Sequence, residues 1–123
     1  MIVIDAIKES PKAMDIYRLL LSIRVPIKVH GYRYIRKALD ILLNDEGAAF
    51  AITKLVYMKI ADEYGLECKQ VESAMRIAID QAWERGGCDE QEMIFGYSKM
   101  DGKKPCISEF LFRIAEYLKV SVS

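Results

Sequence analysis

The chain has 123 residues, 52% of them apolar, and its 18 lysines and arginines balance 18 acids. This length and apolar share suit one domain with a single modest core. The neutral balance argues against a large nonspecific coat on nucleic acid, although a sequence reader remains open because local charge counts for more than the sum.

Along the chain, Ser10–Pro11 reads as a helix start, a capping hydroxyl followed by proline in the first turn. Met14, Tyr17, Leu20, Leu21 and Arg24 follow at helical spacing, and Pro26 is expected to end that helix. A short connector over 25–29 leads to a second helix over about 31–43, with Ile35, Leu39, Leu42 and Leu43 as its buried stripe. After a turn at 44–47, residues 48–64 read as a helix with an interruption near Met58. A fourth helix runs over about 69–85 and stops at Gly86–Gly87, with Val71, Ala74, Met75, Ala78, Ile79, Ala82 and Trp83 on its buried face. Asp89 is expected to cap a short helix carrying Met93, Ile94 and Phe95. A lysine- and glycine-rich loop over 96–104 precedes a last helix over about 107–120 that buries Phe110, Leu111, Ile114 and Leu118. No strand pattern of useful length emerges beyond residues 1–7. The expected fold is all-α, a compact wingless helix-turn-helix domain of about six helices, with an N-terminal segment over 1–10 and the domain over 11–123.

The motif lies over 48–85. Ala61 is small enough for a second helix to cross closely, Gly65 can take a positive φ at a tight helix exit, and Val71 sits early in the next helix. Ile60, Tyr64, Leu66 and Met75 are available to close a small core around them. Such a pair is the unit by which many regulators place a recognition helix in the DNA major groove.

Charge is sorted along the chain. From Ile16 to Leu39 there is no acid, while Arg18, Arg24, Lys28, Arg33, Arg36 and Lys37 fall in that window together with His30. Lys99, Lys103 and Lys104 form a second cluster. One reading has the two segments clamping DNA phosphates on either side of a helix in the groove; the other is an ordinary solvated face. Phosphate candidates are Lys28, Arg33, Arg36, Thr53, Lys54, Lys69, Lys99, Lys103 and Lys104.

Off the buried stripe of the fourth helix stand the base-reading candidates Gln70, Glu72, Ser73, Arg76 and Ile77. Gln70 suits adenine, Arg76 suits guanine through two bonds, Glu72 accepts from a cytosine amine, and Ile77 meets a thymine methyl or a protein partner. The competing reading makes Glu72, Arg76 and Asp80 an i, i+4 ion-pair ladder. Three scattered cysteines without a CxxC pair, beside one histidine, suit reduced thiols better than disulfides or zinc. No signal-peptide core, membrane span, nucleophile motif or phosphate-binding glycine loop is evident. A cytoplasmic protein without catalysis, cofactor or membrane partner is expected.

Several segments carry a family resemblance: Val25–Pro26, the run GYRYIR over 31–36, ITKLVY over 52–57, Ile60–Ala61, Val71–Glu72 and AWERG over 82–86. Phe95–Gly96–Tyr97, Lys104–Pro105 and Ser108–Glu109–Phe110 complete the set. Over about 25–118 the chain resembles the C-terminal DNA-binding effector domain of the stage 0 sporulation protein A family. The resemblance implies a six-helix domain that binds promoter elements, often as a tandem dimer, and contacts RNA polymerase, with Glu72 and Arg76 on the reading helix. Where the family usually has arginine after the glutamate this chain has Ser73, and where it usually has Arg-His this chain has Arg76–Ile77. The loss of that arginine and histidine from the reading face bears on the family's target sequence and on DNA binding itself. The usual threonine or serine before the recognition helix is also missing around Glu67–Cys68–Lys69, so weaker capping is expected. The family's regulators carry a receiver domain that 123 residues leave no room for, so a stand-alone regulator is expected, with the apolar MIVI available as a dimer contact.

Two functions follow. The first is a transcription regulator binding duplex promoter DNA as a homodimer. The second is an interaction module that keeps the fold and modulates a partner, such as a full-length sporulation regulator, without reading DNA.

Overall fold

A computed structural model describes residues 13–44 and 55–122. The expected Ser10–Pro11 start, the apolar MIVI segment, most of the turn at 44–47, and Thr53 and Lys54 lie outside the described residues. Six α-helices follow in order: α1 (Ala13–Ser22), α2 (His30–Asn44), α3 (Tyr57–Tyr64), α4 (Cys68–Arg85), α5 (Cys88–Phe95) and α6 (Ile107–Val122). A 3-10 turn at Lys99–Asp101 lies between α5 and α6, and no strand occurs among the described residues.

The first helix differs from its sequence reading. Its core side is Ile16 and Leu20, continued by Ile23, whereas Met14, Tyr17 and Leu21 are exposed. It also ends at Ser22, before Pro26 can act. Arg24 takes φ 68°, and the Val25 and Arg24 N–H groups donate back to the Leu20 and Leu21 carbonyls at 3.0 and 3.1 Å. This is a Schellman ending with arginine where glycine is usual. Val25 then tucks into the core beside α1.

The architecture turns on the crossing of α2 and α4. A Cβ added at Gly31 would sit 2.1 Å from the Ala74 carbonyl oxygen and 2.8 Å from the Ala78 side chain. Only glycine permits this backbone contact, and Ile35, Ala38 and Leu39 continue the same buried side of α2. The expected stripe of α4 is buried throughout except at Ala74, which is partly covered and whose carbonyl faces Gly31. From the other side α6 closes the core with Phe110, Leu111, Ile114 and Leu118. Trp83 meets Phe95 edge-on at 5.2 Å, and Phe95 stacks on Phe110 at 5.5 Å, joining α4, α5 and α6.

Candidate nucleic-acid interface

The helix-turn-helix forms as its spacing demands. Gly65 ends α3 at φ 67°, and both its N–H and that of Leu66 donate to the Ala61 carbonyl. Ala61 and Ile60 are buried against α4, while Tyr64 and Leu66 are half-buried. The chain then becomes extended at Glu67 (ψ 153°) and enters α4.

The start of α4 is better capped than its sequence suggests. The Gln70 Oε1 accepts the Glu67 N–H at 2.8 Å, the return half of a capping box. The missing serine or threonine is compensated from the third helical position. The same bond occupies the oxygen that Gln70 would need for a two-bond contact with adenine.

Arg76 is also engaged. Its Nη2 donates to the Pro105 carbonyl at 3.0 Å, and its Nε lies 3.2 Å from Asp80 Oδ1, an ion pair whose angle is not that of a hydrogen bond. Lys104 reaches the same Asp80 oxygen at 3.1 Å. The expected ladder thus forms between Arg76 and Asp80 and recruits Lys104, while Glu72 stays out of it. Glu72, Ser73 and Ile77 remain exposed on the outward face, and Lys69 is exposed at the helix start.

An open groove of about 570 Å³ runs along this face. One wall is Glu72, Ser73, Arg76 and Ile77; the other is Cys106, Ile107 and Ser108 from the start of α6, with Tyr57 at its base. Burial, reinforced by the Glu72 carboxylate, pushes the Tyr57 hydroxyl up to about 12. The Ser108 hydroxyl and the Glu109 N–H hold the Cys106 thiol below its ordinary range. Cys106 Sγ lies 3.3 Å from Ser108 Oγ.

The loop before α6 is pinned to α4 along its length. Lys99 Nζ donates to the Glu84 carbonyl at 2.8 Å, where a cation complements the helix C-terminus. Trp83 Nε1 donates to the Lys103 carbonyl at 2.7 Å, and the Lys103 ammonium lies over the Tyr97 ring at 5.6 Å. Gln91 is fully buried, donating to the Trp83 carbonyl and accepting the Lys99 N–H, both at 2.8 Å. Sequence reading missed Gln91; the only signal was a glutamine at a core position of a short helix. Asp89 is not the cap of α5, which starts from Gly87; it sits in the first turn beside Glu90, where acids favour a helix N-terminus.

The first basic segment does not flank α4. On a helix of about 3.6 residues per turn, Arg33, Arg36, Lys37 and Asp40 fall on the side of α2 opposite Gly31 and Ala38. With Lys28 and His30 they line a separate groove, which shares no residue with the one on α4. Among the described residues the two basic groups thus lie apart: Lys28, Arg33 and Arg36 line the groove on α2, whereas Lys69 stands exposed at the start of α4, Lys104 reaches Asp80, and Lys99 is drawn to the end of α4.

A short helix, a left-handed glycine turn and a longer helix with a polar exposed face define a helix-turn-helix domain of the DNA-binding class. Residues 16–118 match the family model described as Sporulation initiation factor Spo0A C terminal, and the chain belongs to this family. The family is a DNA-binding effector domain of transcription regulation in sporulation. No helix among the described residues is long and apolar enough to cross a membrane.

Proposed function

We propose that this chain is a sequence-specific transcription regulator that sets α4 in the major groove of a promoter element. The observation that carries this reading is the outward face of α4, where Glu72, Ser73 and Ile77 are exposed together on a helix held firmly from behind. Glu72 accepts from a cytosine amine, Ile77 meets a thymine methyl, and Ser73 bonds to either base type. Lys69, Lys103 and Lys104 contact phosphates. Gln70 meets a base chiefly through its amide NH2, its oxygen being engaged in the capping bond, and Arg76 acts chiefly by holding the Pro105 backbone beside the helix. Two copies on adjacent elements supply the affinity that a helix with three positive and three negative side chains does not generate alone.

Selection of bound sequences from a random duplex pool tests this reading. Enrichment of a motif supports it, and Ile77→His should change that motif at one position. A pool that stays random through repeated rounds defeats it.

One observation favours a second reading. Ile77 is 53% exposed in the middle of the outward face, as suits a protein contact. In that case the module binds a partner such as a full-length sporulation regulator or RNA polymerase. Complex formation with purified partner, lost in Ile77→Lys and unaccompanied by any DNA footprint, would select it.

A further inference from the structure

The open groove on the far side of α2 has a volume of about 640 Å³, within the size range of small-molecule sites. Its charge is lopsided. Lys28, Arg33, Arg36 and Lys37 line it against a single acid, Asp40. Lys37 is neutralised by Glu63 at 3.0 Å. Asp40 is turned along its own helix, where Oδ1 accepts from Asn44 at 3.2 Å.

That leaves Lys28, Arg33 and Arg36 without a carboxylate partner among the described residues. The two guanidinium groups are backed by aromatic rings, Arg33 over Tyr64 and Arg36 over Tyr32, each at 5.9 Å. Backing on a ring fixes the plane of an arginine and leaves its N–H edge free for a phosphate, which it can grip with two bonds. The first turn of α2, which carries no acid, opens at the same place through Val29 and His30. Beside these groups lie Ile16, Val29 and Ile27, the last 52% exposed. An apolar floor beside a cationic rim matches a molecule with one anionic and one flat, weakly polar end.

We propose that this groove binds a small organic phosphate of the nucleoside polyphosphate class, its phosphates on Arg33, Arg36 and Lys28 and its planar base against the apolar floor. DNA backbone is the competing occupant. The groove opens on the side of α2 that faces away from α4, so a duplex seated on α4 meets other lysines. The proposal stands whether or not α4 reads DNA.

Isothermal titration calorimetry on the full chain tests it, with ATP, GTP and pyrophosphate as probes at low and physiological salt. The nucleotides should bind saturably and pyrophosphate more weakly, because it lacks the planar part. Arg33→Gln with Arg36→Gln should weaken nucleotide binding by at least about tenfold, two charge-assisted contacts being lost. Lys104→Ala, on the other face, should leave it unchanged. All three side chains are exposed, and circular dichroism verifies folding of each variant. The proposal is overturned if none of the three probes gives saturable heat at low salt, or if binding survives the double substitution. It is equally overturned if the double substitution abolishes binding of a random duplex while the nucleotides never bind, which would assign the groove to DNA backbone.

Discussion

Removal of the Arg76 guanidinium separates two roles that one residue on a recognition helix can play. In Arg76→Ala the Pro105 carbonyl loses its charged donor, a bond of the kind worth about 1.5–3 kcal/mol. The Asp80 contact adds little, since both side chains are a third or more exposed and Asp80 keeps Lys104. With a discount for that exposure, the expected loss is about 2 kcal/mol, which for a domain of this size lowers Tm by roughly 8 °C. Thermal unfolding followed by circular dichroism and Trp83 fluorescence measures it, because Trp83 is bonded to the same loop. DNA affinity should fall alike for preferred and scrambled duplexes, as the wall formed by Cys106, Ile107 and Ser108 loosens. A variant of unchanged Tm that instead loses discrimination at a single base pair would refute this, and would make Arg76 a guanine reader.

Three further expectations concern the frame of the site. Arg24→Gly should stabilise the domain by about 1 kcal/mol in urea unfolding, because Arg24 holds φ 68° and the penalty belongs to its Cβ; a destabilised variant would contradict the Schellman assignment. Gly31→Ala should cost about 3 kcal/mol or more, since its Cβ would meet a backbone oxygen that cannot move without separating α2 from α4; a loss below about 1 kcal/mol would show that the helices part easily. Cys106 should alkylate with iodoacetamide faster at neutral pH than exposed Cys68, and Ser108→Ala should slow it. The sign follows from the lowered thiol value: a depressed pKa raises the thiolate fraction at a given pH, and removal of the Ser108 hydroxyl returns it towards the thiol. Equal rates at Cys106 and Cys68 would count against this.

The helix-turn-helix was legible because its determinants are local. Ala61, Gly65 and Val71 lie within a few turns of chain, and a left-handed exit leaves a glycine where the sequence can show it. The buried faces of α4 and α6 were legible for the same reason, as an apolar rhythm with one solution. Helix α1 was not, because apolar residues surround it and two stripes compete; the Ile16–Leu20–Ile23 side wins through contact with later elements. The role of Arg76 was also hidden, since its partner Pro105 lies 29 residues away. The acid-free run over 16–39 shows which basic residues cluster but not which way they face. The helical phase of Arg33 and Arg36 relative to Gly31 shows which way they face, but only after Gly31 is known to touch α4. Gln70 illustrates a third case: capping and base reading call for the same residue type, and geometry decides which one holds the oxygen.

The most direct measurement is the affinity of the chain for a selected duplex and for its scrambled counterpart, taken by fluorescence anisotropy across a salt series. With Lys69, Lys103 and Lys104 neutralising phosphates, the logarithm of affinity should fall with that of salt at a slope of roughly −3 per bound copy. The selected duplex should hold a preference that survives to physiological salt and shrinks in Glu72→Ala. Failure to bind either duplex with any salt dependence, even at low ionic strength, would contradict a DNA-reading α4.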